Sequence, residues 1–167
     1  DGTMNLTLTP ELMDDVVETA LTHLRRDNPE KKILYQPSPE MLVAKMDAHL
    51  IVQVIINLVD NGIKYTPLQS AITVRVYPRE KGTARKPLTD VVVEVADQGP
   101  GIADAVKPRI FDMFYTGENK IADNRRSLGL GLALCKSIVA AHNGTIAVYD
   151  NNPVGTIFRF VIIYRNG

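Results

Sequence analysis

The sequence predicts an α+β fold: a two-layer α/β sandwich with three main helices on one face of a mixed, mostly antiparallel sheet. Three observations carry this. Residues 72–77 and 91–96 are dense in Val and Ile, as strands are, and read as the two arms of a hairpin. Three other segments repeat apolar residues at helical spacing. The elements follow in the order β-α-β-β-α-β-β-α-β-β, and repeated hairpins of that kind place helices on one side of a largely antiparallel sheet.

Each element has its own signal. Asn5-Leu6-Thr7-Leu8 alternates and reads as a short strand. Thr9-Pro10-Glu11 then looks like a helix start, with Thr as N-cap and Pro at the first helical position. Leu12, Met13, Val16, Ala20, Leu21 and Leu24 supply that helix's apolar face, and Asn28-Pro29 ends it. Residues 31–35 and 41–46 are two candidate strands divided by Pro37 and Pro39. Asp47 is placed to cap the central helix, which Gly62 loosens and Pro67 stops. Between the two Val-rich strands, residues 78–90 are polar, contain Gly82 and Pro87, and read as a mobile loop. Residues 97–128 lack clean periodicity beyond a helical turn at 106–111, and so long a loop suggests a functional lid or disorder. Residues 129–142 read as a helix ended by Asn143-Gly144, and residues 146–149 and 157–163 as a closing hairpin.

Composition limits the function classes. At 167 residues one domain is the default, and 45% hydrophobic with 23% charged residues is ordinary for a globular chain. Lys plus Arg and Asp plus Glu balance at 19 each, which argues against a surface built for nucleic acid or anionic lipid. The single Cys135 allows no internal disulfide and suits a reducing compartment. No apolar run reaches spanning length, and Asp1-Gly2 does not begin a signal peptide. The expectation is a cytoplasmic domain without membrane contact of its own, a fragment of something longer.

The most informative stretch is residues 53–66. Gln53, Asn57, Asn61 and Lys64 fall within roughly 80° of one another on a helix, opposite Ile51, Val52, Ile55, Leu58 and Val59. Amide oxygens can ligate a hard cation, amide nitrogens can donate to phosphate, and Lys meets phosphate as a point charge. The row suits a magnesium–polyphosphate ligand, although an ordinary solvated helix face would look similar. Asp97-Gln98-Gly99-Pro100-Gly101-Ile102 follows a strand. Its carboxylate can accept from an exocyclic amine such as that of adenine, and its glycines let backbone approach a ligand. Gly129-Leu130-Gly131-Leu132 opens a helix, where free amides can meet phosphate. It is neither a P-loop nor the dinucleotide fingerprint. Phe111 and Phe114 can anchor the loop, and Thr156, beside Phe158 and Phe160, can reach a base. Taken singly, each of these motifs also fits plain turns and packing.

Together and in this order, NLxxNxxKYT, DxGxGI, FxxF, GLGLA and GTxFxF resemble the ATP-binding catalytic domain of sensor histidine kinases. That family shares a superfamily with gyrase, the ninety-kilodalton chaperone and MutL, and has the Bergerat-type ATP-binding fold. The resemblance runs from about Asn5 to Ile163, and Ser127 to Ile138 with Asp150-Asn151-Asn152-Pro153 looks most like KdpD-type potassium-sensing kinases. The resemblance implies ATP and Mg²⁺ as cofactors, with Asn57 on the metal. Asn61 would lie near phosphates and ribose, Lys64 on phosphate, and Tyr65 beside the sugar and base. Asp97 would accept from the adenine amine, Gly99 and Gly101 would admit the base, and Ile102 would line its pocket. Gly129, Leu130, Gly131 and Leu132 would hold the phosphates and Thr156 would support the base. A lid at about 101–128 would bring Arg125 and Arg126, with Lys120, to the γ-phosphate.

The implied activity is donation of the γ-phosphoryl group to a histidine. That acceptor would sit on a separate helical dimerisation domain of a membrane-anchored parent, with a response regulator downstream. His23, His49 and His142 lack the acceptor context, so the chain alone is not expected to phosphorylate itself. Ser127 stands where relatives often have a third glycine, and Asn143-Gly144 replaces two glycines. The competing readings are a non-catalytic nucleotide-binding module and a gyrase- or chaperone-type ATPase. Gln53 bears on the last: such ATPases carry a Glu there as general base, and an amide cannot take the proton.

Overall fold

The computed structural model describes residues 4–85, 87–112 and 130–165. The strands are β1 (Thr9–Leu12), β2 (Ile33–Gln36), β3 (Val43–Met46), β4 (Ile72–Gly82), β5 (Pro87–Ala96), β6 (Thr145–Asp150) and β7 (Thr156–Arg165). The helices are α1 (Met13–Asp27), α2 (Ala48–Tyr65) and α3 (Leu130–Ala141), with a 3-10 turn at Lys107–Arg109. Five strands form one sheet in the order β2-β4-β5-β7-β6; only β2 runs parallel to its neighbour. β1 and β3 pair separately as an antiparallel ribbon. The α+β expectation holds, including three helices and a mixed sheet.

Alternation along the strands decides which face is covered. Val74, Val76, Val91, Val93, Val95, Phe158, Phe160 and Ile162 point into the core and meet Val17, Leu21, Ile51, Ile55, Leu58 and Ile138 from the helices. The intervening residues point the other way and are stitched by charge. Glu94 accepts from Tyr77 Oη at 2.6 Å and from Arg159 Nε at 2.9 Å, and Asp90 lies between Arg79 and Lys81 at 3.1 and 3.0 Å.

Asp47 caps α2 as expected, its side chain accepting from Leu50 N. His142 Nε2 accepts from Asp47 N at 3.0 Å, while Nδ1 lies 2.8 Å from Ile138 O, which fixes the proton on Nδ1. This buried histidine ties the end of α3 to the start of α2 and is structural. His23 and His49 are exposed helix residues. Asn143 takes φ 59°, the left-handed value that Asn tolerates.

Three local expectations are corrected. Residues 5–8 are not a strand; β1 begins at Thr9, because residues 9–12 pair with Met46 through Val43. Helix α1 starts at Met13 with no side-chain cap, so the Thr-Pro-Glu start signal is overridden by that pairing. Residues 78–90 are mostly not a loop: the β4–β5 ladder continues in register from Tyr77↔Val92 to Gly82↔Pro87. Pro78 is tolerated because β2 pairs with β4 only as far as Arg75, which frees that side of the strand. Asn143-Gly144 ends α3 as read, and Gly62 leaves α2 unbroken.

Candidate functional site

The site is built around the C-terminal half of α2, which lies between the turn after β5 and the body of α3. Its polar row forms as the periodicity predicts. Asn57 and Asn61 are half-buried at the edge of the apolar face, and Gln53, Lys64 and Tyr65 are exposed. Gln53 Nε2 donates to Asn57 Oδ1 at 2.9 Å. That bond points the Asn57 carbonyl toward Gln53. Cys135 is fully buried and its Sγ donates to Val54 O; burial pushes the thiol up to about 12, against the smaller effect of Asn57, so it is inert. Lys64 Nζ lies 5.4 Å from the centre of the Tyr65 ring, a cation–π distance.

Asp97 anchors the other end. The β5–β7 ladder is continued by Asp97 N, which donates to Thr156 O at 2.9 Å. Asp97 Oδ1 accepts two backbone N–H groups, from Gly99 at 2.9 Å and Thr156 at 3.2 Å. Asp97 Oδ2 faces Gly62 of α2, 3.8 Å from where a Cβ there would stand. The carboxylate is buried, and burial raises its pKa; the Gly99 and Thr156 N–H groups and the charge of Lys31 oppose that rise. One oxygen is thus saturated by the fold, and the geometry fixes which oxygen that is.

The glycines of this turn answer to different demands. A Cβ on Gly99 would meet Thr66 Cγ2 at 3.0 Å and Tyr65 O at 3.2 Å, so its smallness lets the turn close on the end of α2. Gly101 has φ +82° and Gly155 φ +118°, values that L side chains avoid. A Cβ on Gly155 would lie 2.0 Å from Asp97 O. At Gly131 no atom of the described residues lies within 4 Å of an added Cβ. Fold packing therefore explains Gly99 and Gly155, and leaves Gly131 without a steric reason among the described residues.

Of the residues read from sequence, Asp97, Gly99, Gly101 and Thr156 come together against the end of α2 that carries Tyr65. Thr156 is buried and serves through its backbone. Ile102 and Leu132 pack on the core, and Leu130 opens α3. Phe111 meets Phe158 edge-on at 6.0 Å, the anchor expected for the start of the long loop. Phe114, Lys120, Arg125, Arg126, Ser127 and Gly129 lie outside the described residues, as does most of the expected lid. Two residues escaped the sequence reading. Asn151 Nδ2 donates to Asp97 O at 2.8 Å, a contact with the site that its sequence context did not suggest. Lys31 is buried beside the same end of the site and looked like the start of a strand.

Among the described residues no three His, Cys, Asp or Glu side chains cluster as a metal site. A divalent cation would have the Asn57 amide oxygen and would draw its other ligands from water and a polyphosphate, which is how magnesium is commonly held. No helix among the described residues is long and apolar enough to cross a membrane.

Residues 46–166 match the profile of a family described as histidine kinase-, DNA gyrase B-, and HSP90-like ATPase. The sensor protein KdpD of Clostridium acetobutylicum is 40% identical over 162 residues, covering 97% of this chain but only 17% of that protein. The catalytic domain of the histidine kinase ThkA superposes with a TM-score of 0.72 at 25% identity, covering 93% of this chain and 95% of that one. The mycobacterial sensor histidine kinase MprB gives a TM-score of 0.78 at 24% identity, over 96% of this chain and all of that one, a likeness of fold.

Proposed function

Because the chain belongs to the histidine kinase-, DNA gyrase B- and HSP90-like ATPase family, we propose that it binds Mg·ATP and donates the γ-phosphoryl group to a histidine on a separate dimerisation domain of a two-component sensor kinase. The chain spans 17% of the KdpD relative, so the acceptor helices, the membrane-anchored parent and the response regulator are parts of this proposal.

The roles follow the site. Asp97 accepts from the adenine amine with its second oxygen, because the first is occupied by Gly99 and Thr156 N–H. Gly99, Gly101 and Ile102 shape the base pocket, and Thr156 holds Asp97 from β7. Tyr65 packs by the sugar and base, and Asn61 meets the phosphates and ribose. Lys64 supplies a point charge to phosphate, with Arg125 and Arg126 adding two more. Gly129, which precedes α3 in the sequence, and Leu130, Gly131 and Leu132 at its start receive phosphate on backbone amides. Asn57 holds Mg²⁺, which when bound neutralises phosphate charge. Phosphoryl transfer depends mainly on positioning and charge, and these residues supply both.

One observation carries kinase over ATPase: Gln53 stands one turn before Asn57 and donates to its amide oxygen. Gln53 is an amide, and an amide is not basic enough to take a proton from water at neutral pH. Steady-state phosphate release by the isolated chain should therefore run well below the order of 1 s⁻¹ typical of working enzymes. Gln53→Glu should raise it, by less than the roughly 10²–10⁴-fold that a general base supplies, because the substitution also removes the donor to Asn57. Release on the order of 1 s⁻¹ by the unmutated chain would contradict the kinase reading.

A further inference from the structure

Lys31, in the segment between α1 and β2, is a buried cation for which the roles above leave no task. It is 6% exposed, and its Nζ donates to Thr66 Oγ1 at 2.9 Å and Pro67 O at 2.6 Å. Both partners are neutral. A buried ammonium needs a compensating charge or it becomes costly to keep. Thr66 Oγ1 donates onward to Gly62 O at 2.7 Å. Gly62 and Thr66 are the two α2 positions that abut the carboxylate turn. A Cβ on Gly62 would lie 3.8 Å from Asp97 Oδ2, and one on Gly99 would lie 3.0 Å from Thr66 Cγ2. Gly99 N in turn donates to Asp97 Oδ1. Lys31 thus stands behind the base end of the site, linked to Asp97 through one layer of backbone.

We propose that Lys31 is a positioning residue that sets base selectivity. Its ammonium is the counter-charge that keeps Asp97 an acceptor, and its two hydrogen bonds hold the end of α2 against Gly99. The inference rests on Asp97 being the group that meets the adenine amine. Three groups favour the Asp97 anion: the Gly99 N–H from its own turn, the Thr156 N–H from β7, and Lys31 from the segment before β2. Among these described groups, only Lys31 brings a full charge. The relation is mutual, since burial lowers the Lys31 pKa and Asp97 opposes that. Without Lys31, Asp97 should take up a proton at a higher pH, and a protonated carboxyl offers guanine a donor where adenine needs an acceptor.

The test compares Kd for Mg·ATP and Mg·GTP from mildly acidic to neutral pH in the unmutated chain, Lys31→Gln, Lys31→Met and Asp97→Asn. Gln keeps donors for Thr66 and Pro67 without the charge, and decides the matter if Met fails to fold. Lys31→Gln should lower the ATP-to-GTP affinity ratio at mildly acidic pH, and move the acid limb of ATP binding to higher pH. Equal weakening toward both nucleotides, with the limb unmoved, would mean a structural role only and overturn the proposal. So would no change at all, provided Asp97→Asn collapses the ratio. If Asp97→Asn leaves the ratio intact, the base assignment itself fails.

Discussion

Asp97→Asn is expected to raise the Kd for Mg·ATP by about 5- to 150-fold and to abolish the preference over Mg·GTP, the equivalent of about 1–3 kcal/mol for one buried mismatch. The structure makes this substitution unusually clean. Two N–H donors fix Oδ1, so the asparagine oxygen must sit there and its NH₂ must take the place of Oδ2. The amide cannot turn over without opposing N–H to N–H. A donor then faces the adenine amine, while a guanine carbonyl would find a partner. Competition against a fluorescent nucleotide measures both affinities.

The pH dependence gives the same residue a second signature. Burial raises the Asp97 pKa, so the folded chain disfavours its anion. The stability contributed by this group is therefore fully present below the unfolded-state value and lost as pH rises through the higher folded one. With Asp97 in the proposed role, ATP binding would need the anion and have the opposite sign: it would weaken as pH falls through the folded value. Asp97→Asn removes the titrating group while both backbone donors keep their acceptor, so stability in the variant should lose its Asp97-linked dependence on pH. Thermal unfolding and nucleotide affinity, each followed against pH, should move in opposite directions in the unmutated chain and lose this opposition in the variant.

Gly155→Ala is expected to cost about 3 kcal/mol or more, the upper part of the range for overpacking. For a chain of this size that lowers Tm by about 6–12 °C. The added Cβ would lie 2.0 Å from Asp97 O and 2.8 Å from its carbonyl carbon, on a backbone with φ +118°. Relief requires the β6–β7 turn to back away from Asp97, which breaks Thr156 N–H to Oδ1 and Asn151 to Asp97 O. ATP affinity should fall with stability. Gly131→Ala is the contrast. Its Cβ meets no described residue within 4 Å, and alanine suits a helix better than glycine by up to about 1 kcal/mol, so stability should hold or rise. If the start of α3 receives phosphate, ATP affinity should nevertheless drop. Calorimetric melting with and without nucleotide separates the two variants.

The parts of this arrangement legible in the sequence were those with local causes. The period of α2 placed Asn57 and Asn61 at the margin of a buried face, Asp47 announced its cap, and Val-rich runs announced β4 and β5. The misreadings arose where distant residues prevailed. Thr9-Pro10-Glu11 has good helix-start chemistry, yet residues 43–46 recruit it into a ribbon. The polar stretch 78–90 looked like solvent-facing loop, yet its charges pair across the ladder, Arg79 and Lys81 with Asp90. Lys31 had no sequence signal at all, because its partners Thr66 and Pro67 lie 35 and 36 positions away. The oxygen of Asp97 left to a ligand was equally invisible, since backbone donors select it and backbone leaves no trace in residue types.

The central claim concerns where the γ-phosphoryl group goes. The decisive measurement incubates the chain with Mg²⁺ and γ-labelled ATP, with and without the histidine-bearing helical domain of a two-component sensor kinase, and follows label on both polypeptides and in free phosphate. Acid-labile label should accumulate on the added domain, with none retained on His23, His49 or His142 and little free phosphate. Label appearing as free phosphate on the order of once per second, with the added domain unlabelled, would contradict the account and make the chain an ATPase.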